Sequence, residues 1–227
     1  MPIKLPFLFY TVVSATGIML PLLVSWVFSP LNKRNDEHHL DGLNKQQRRN
    51  WRGRHQNIPL RFYGGGCDKV FSHWLEGDSQ VQVSSLDEIA DWLVDCRYMS
   101  DLEHMGVRDH WQHPLMFEQL RTGDCEDFAL WAWRKMIELG YECEFMVGKW
   151  LRNGRAGTHA WIVYQQNDQI IIFETTGVSK DRMFKPLAQA AGEYIPFASV
   201  DHQVRKKVYP GIADWILRLG RQISSGQ

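Results

Sequence analysis

The chain has 227 residues, 44% hydrophobic and 23% charged, a composition that fits one folded domain with extensions and excludes a wholly disordered chain. Lys plus Arg and Asp plus Glu number 26 each, so no net basic field points to nucleic acid as a partner. The four cysteines, Cys67, Cys96, Cys125 and Cys143, have no CxxC or Cys/His zinc spacing and argue against a disulfide scaffold. Cys96 and Cys143 read as small buried hydrophobes.

Residues 5–28 carry no charge. At 1.5 Å per residue the run reaches roughly 36 Å, more than a hydrocarbon core of about 30 Å. It exceeds the apolar core of a signal peptide, about 7–15 residues. It also closes on Trp26, Val27 and Phe28, not on small residues. A single transmembrane anchor is therefore expected at 5–28. Lys33, Arg34, Lys45, Arg48 and Arg49 follow the run and only Lys4 and the terminal amine precede it. That bias leans toward a single-pass membrane protein with its folded part on the cytoplasmic side. Residues 29–57 read as a polar, basic linker; a basic strip against anionic headgroups is the other reading.

The folded part is expected over residues 58–227. Gly64, Gly65 and Gly66 lack the Lys-Ser/Thr ending of a phosphate loop and read as a turn. Leu86, Ile89, Ala90, Leu93 and Val94 recur at helical spacing and predict a helix. A second helix starts at Cys125, with Asp124 as N-cap and Asp127 three residues on. Phe128, Ala129, Ala132, Met136 and Leu139 form its apolar stripe, and Gly140 ends it. Strands are expected at 141–150, across a hairpin over 157–175, and at 193–200. Beyond Pro210 a last amphipathic helix is expected, capping the domain or lying on the membrane. The class is α+β, a helix packed on an antiparallel sheet.

Chemistry concentrates at Gly123-Asp124-Cys125-Glu126-Asp127. A thiol at a helix start meets unpaired N–H groups and the positive end of the dipole, which favour thiolate; the flanking acids oppose it. A cationic partner is therefore needed. With the hairpin turn centred on Gln166-Asn167, Tyr164 opposes Gln169, Ile162 opposes Ile171, and His159 opposes Glu174. That register sets an imidazole beside a carboxylate, which orients it and supports its protonated form. A one-residue slip would put the two on opposite faces. His110 and His113 are alternative bases without so plain a carboxylate partner. Trp131, Trp133, Trp150 and Trp161 are core by default and groove walls at best.

Cysteine at a helix start, histidine on a strand and an acid on the next strand resemble the transglutaminase-like superfamily with its papain-type arrangement, and most nearly the bacterial transglutaminase-like cysteine peptidases. The likeness spans residues 80–200. It takes in the helix at Asp87–Leu93, the segment Tyr98-Met99-Ser100-Asp101, and Trp111-Gln112-His113-Pro114 ahead of the Cys125 block. Glu174 stands where that family usually has Asp.

The resemblance implies a papain/transglutaminase-like core and a cysteine peptidase acting on a protein or peptide through Cys125, His159 and Glu174. It implies Gln119 and Trp111 as oxyanion donors. It gives Asp124, Glu126 and Asp127 as calcium ligands in place of, or beside, their helix-start role. The thiol chemistry itself requires no cofactor. A membrane-tethered binding module on the same fold and an amine-transferring transglutaminase are the alternatives. The family's adhesin-cleaving members act in the periplasm, opposite to the side the charge bias favours.

Overall fold

The computed structural model describes residues 40–152 and 154–211. The anchor expected at 5–28 and the helix expected beyond Pro210 lie outside them. Among the described residues no helix is long and apolar enough to cross a membrane.

The elements run in the order α1 (Lys45–Asn50), β1 (Arg54–His55), α2 (Leu86–Val94), β2 (Arg97–Tyr98), α3 (Asp101–His104), α4 (Pro114–Leu120), β3 (Thr122–Gly123), α5 (Cys125–Glu138), β4 (Cys143–Arg152), β5 (Arg155–Gln166), β6 (Gln169–Phe173), α6 (Lys180–Met183), β7 (Phe184–Pro186), α7 (Leu187–Ala190), β8 (Tyr194–Asp201) and β9 (Lys206–Val208). Seven strands form one sheet in the order β1-β9-β8-β4-β5-β6-β7. Every pairing in it is antiparallel. β2 and β3 make a separate parallel pair. The mixed helix and antiparallel-sheet class is thus as expected.

Strand alternation divides the core in two. Phe145, Val147, Ala160 and Ile162 face α5 and join its Phe128, Ala129, Ala132 and Met136. Met146, Trp161, Val163 and Ile172 face the other way, against Leu187, Ala190, Leu40, Leu43 and Trp51. The last three come from the stretch read as linker. From Leu40 onward that stretch is folded: α1 is capped by Asn44, and β1 extends the sheet by pairing with β9. Its few apolar residues were hidden in a polar composition, but each is buried.

The central helix α5 follows its sequence grammar. Asp124 is the N-cap, and Gly140 takes φ +81° just past the C-terminus. It is buried on nearly every side, because α2, α4 and the segment around Phe71 and Trp74 cover the face away from the sheet. Trp131 stacks on Trp92 at 3.9 Å, and Trp133 packs edge-on to Phe71. Both tryptophans are core, not groove.

Candidate active site

Cys125 opens α5 directly after β3, and this turn is braced by one buried carboxylate. Asp127 Oδ1 accepts the Gln112 backbone N–H at 2.8 Å, and its Oδ2 accepts Gln112 Nε2 at 2.5 Å and the Asp124 N–H at 3.2 Å. Gly123 lets that brace close: a Cβ there would lie 2.3 Å from Asp127 Oδ2. The Cys125 thiol donates to Glu126 Oε2 at 3.1 Å. The Ala160 backbone N–H is near enough to favour the thiolate of Cys125, which sets the sulfur beside β5 at the residue next to His159.

The electrostatics of the thiol differ from the sequence expectation. Burial, then Glu126 and Asp124, push the Cys125 thiol well above its usual range. The helix terminus favours thiolate, but adjacent carboxylates in a partly dry site outweigh it. The resting group is a thiol bonded to Glu126. The other cysteines are free as well. Burial holds Cys67 at about 12 and Cys96 at about 11.

His159 and Glu174 meet, though not by the register expected. The hairpin turns on Asn167 and Asp168, both at positive φ, so Gln166 pairs with Gln169, Tyr164 with Ile171 and Ile162 with Phe173. Continued, this ladder opposes Glu174 to Trp161, two residues from His159. A shift of two preserves the face, and diagonal neighbours remain within reach of long side chains. The glutamate spans the diagonal: His159 Nε2 lies 2.8 Å from Oε2 and 3.0 Å from Oε1. Donation from Nε2–H leaves Nδ1 as the basic nitrogen.

Glu174 gathers further donors. The Thr176 hydroxyl donates to Oε1 at 2.7 Å and its N–H at 3.2 Å; the Tyr194 hydroxyl donates to Oε2 at 2.7 Å. Burial alone would raise this carboxyl, but His159, Thr176 and Tyr194 together hold it at about 2. The imidazole is walled by Trp150, Trp161 and Tyr194, with ring centroids at 6.2, 6.2 and 6.5 Å. Gly148 pairs with His159 in the ladder and makes room for that wall: a Cβ there would lie 2.7 Å from Trp161 and 2.2 Å from the Ile195 carbonyl. Tyr194 and Thr176 were missed in the sequence. Thr176 lies two residues past Glu174, but Tyr194 reaches in from β8, and no local pattern signals that.

A second cluster flanks the cysteine. Carboxylate oxygens of Asp101, Asp124 and Asp127 lie within 4.8 Å of one another, as do those of Asp101, Asp109 and Glu126. Asp101 Oδ1 and Asp124 Oδ1 are buried and accept no hydrogen bond. Burial first, then neighbouring carboxylates, raises Asp101, Asp124 and Glu126 and pushes Asp127 up to about 7. Hard oxygens, two of them buried and unpaired, suit a calcium ion, so the residues fit that group. Asp101 and Asp109 enlarge the set read from sequence, while both oxygens of Asp127 are engaged by the Gln112 brace.

The remaining sequence candidates are placed elsewhere or otherwise engaged. Trp111 is buried, and its indole N–H donates to Asp109 Oδ1 at 3.1 Å. Gln119 is exposed on α4. His113 caps α4, with Nδ1 accepting the Leu115 N–H and Nε2 against the His73 carbonyl at 2.9 Å.

No protein-family model matches the chain, and no curated protein does. Among solved structures it is similar to LapG of Legionella pneumophila at 18% identity and a TM-score of 0.40, over 57% of this chain and 71% of that one. The calcium-bound form of that LapG gives 19% and 0.40 over the same shares. A Cytophaga hutchinsonii structure assigned as a cysteine protease gives 19% and 0.35, over 57% of this chain and 43% of that one. The resemblance to transglutaminase-like cysteine peptidases read from the Cys125 block stands beside these likenesses.

Proposed function

We propose that the protein is a cysteine peptidase that cleaves an amide bond through Cys125, His159 and Glu174. The observation that carries this reading is a half-buried imidazole held by a carboxylate at 2.8 Å, one residue from the backbone N–H that favours the Cys125 thiolate.

The mechanism follows from the resting state. The thiol is protonated, so His159 acts as general base during attack and not as half of a preformed ion pair. For attack the Cys125 thiol must leave Glu126 and meet His159 Nδ1. The proton passes to Nδ1 as the Sγ–C bond forms, and Glu174 stabilises the resulting imidazolium. His159 then gives that proton to the departing amine. Water hydrolyses the thioester with His159 again as base. An amine in place of water would give transfer instead of hydrolysis.

Asp101, Asp109, Asp124 and Glu126 would hold a calcium ion, whose charge would offset the carboxylates that now oppose thiolate formation. The apolar run at 5–28 tethers the enzyme to a membrane, with the catalytic domain on the cytoplasmic side by the weight of Lys and Arg that follows it.

One observation favours a non-catalytic binding module instead: the thiol is raised and bonded to Glu126, away from the imidazole. Digestion of a peptide library by the full chain with calcium present separates the two. New termini that vanish with Cys125→Ala support the peptidase. A library left intact, or cut equally by Cys125→Ala, overturns it.

A further inference from the structure

Acyl transfer needs a donor for the oxyanion, and the side chains expected for it do not supply one. The Trp111 indole N–H is spent on Asp109 and Gln119 is exposed on α4. Another hydroxyl belongs to a residue held beside the start of α5. Tyr98 pairs with Gly123 in the parallel β2–β3 ladder, and the Met99 N–H donates to the Gly123 carbonyl at 2.8 Å. Its ring also packs against Phe128, with centroids 6.2 Å apart. Gly123 lies two residues before Cys125, and Phe128 lies one helical turn after it on the same face. These two contacts set Tyr98 beside the first turn of α5, which Cys125 opens.

Tyr98 is 57% exposed although it is a large aromatic. The residue's outer part is open to solvent, but partial desolvation of its phenol, then the charges of Cys125, Asp124, Glu126 and Glu174, raise that group. It therefore stays a donor at any pH at which the enzyme works. It also lies within the field of the nucleophile and of the carboxylate that holds His159.

We propose that Tyr98 is a further catalytic residue, whose phenol O–H donates to the oxyanion formed when Cys125 attacks a carbonyl. This rests on Cys125 being the nucleophile. When the Sγ–C bond forms, the carbonyl π pair moves to oxygen, and Tyr98 hydrogen-bonds that oxygen without giving up its proton. On collapse the C=O bond reforms and the leaving group departs.

Two small reagents test this without the natural substrate. p-Nitrophenyl acetate acylates a thiol through an oxyanion and releases p-nitrophenolate. Iodoacetamide alkylates it by displacing iodide and forms none. With the full chain, Tyr98→Phe is expected to slow Cys125 acylation roughly 100-fold, the size of a lost oxyanion donor, and to leave Cys125 alkylation unchanged. Equal slowing of both reactions, or of neither, overturns the role of Tyr98. A wild-type Cys125 that reacts with neither reagent overturns the nucleophile reading, and this inference with it.

Discussion

Glu174 Oε2 lies 2.8 Å from His159 Nε2 across a diagonal of the β5–β6 ladder, not across a directly opposed pair. The extra methylene of glutamate is what closes that diagonal. Glu174→Asp should therefore behave as a disruptive change despite keeping the charge, lowering kcat/KM by at least about tenfold, and Glu174→Gln should lower it by roughly 10²–10⁴ through loss of the fixed tautomer. Steady-state kinetics on any cleaved peptide check both. An Asp variant as active as wild type would mean that the carboxylate does not orient the ring.

The same carboxylate makes stability depend on acid. Its folded value of about 2 lies below the ordinary value of about 4.3, so between these values the unfolded chain binds more protons. The contribution is complete above about pH 4.5 and is lost as pH falls through about 2. It amounts to up to about 3 kcal/mol at about 1.4 kcal/mol per pH unit. Acid titration of urea midpoints should show this loss in wild type and a flatter profile in Glu174→Gln.

The acidic cluster works in the opposite direction. Asp127 and its neighbours have raised folded values, so the folded state binds more protons and stability falls as pH rises from about 4 to about 7. With chelator present, Tm should be higher near pH 5 than near pH 7.5. Calcium should raise Tm at the higher pH, because it binds the folded site alone. Asp124→Asn should remove most of that rise. A Tm indifferent to calcium at pH 7.5 would contradict the calcium reading.

Lys135 is fully buried in α5. It donates to the Ser79 hydroxyl, to the Val81 carbonyl at 2.6 Å and to Glu138 at 2.9 Å, and it lies 3.5 Å from the buried Glu118. Lys135→Met removes the cation and leaves that carboxylate without its charge partner, which should cost about 3–5 kcal/mol. Urea denaturation measures it. A change below about 1 kcal/mol would show that the network is not a tie between α5 and the segment at Ser79.

How much of this was legible follows the range of each signal. The limits of α5 were readable because Asp124 and Gly140 act on their own helix. The hairpin was readable but its turn was placed one residue early: Asn167 and Asp168 both take the left-handed conformation, and a turn centred by symmetry misses that. The pairing of His159 with Glu174 survived because the error moved the register by two and kept the face. The opposition of Glu126 and Asp124 to a Cys125 thiolate was legible because both flank it, but the burial that heads the causes of its raised value arises only through folding. Tyr194 and the Gln112 brace reach the site from distant segments for the same reason. Residues 40–57 looked like a tether because three buried apolar side chains do not make a periodic pattern.

The most direct measurement is the residue-resolved rate of iodoacetamide alkylation by mass spectrometry, at neutral pH with calcium, in wild type and in His159→Ala. Cys125 should react at least about 100-fold faster than Cys67, Cys96 and Cys143, and His159→Ala should erase most of that lead. A Cys125 no faster than the other three cysteines, or one whose rate ignores the loss of His159, would contradict a thiol nucleophile activated by this imidazole.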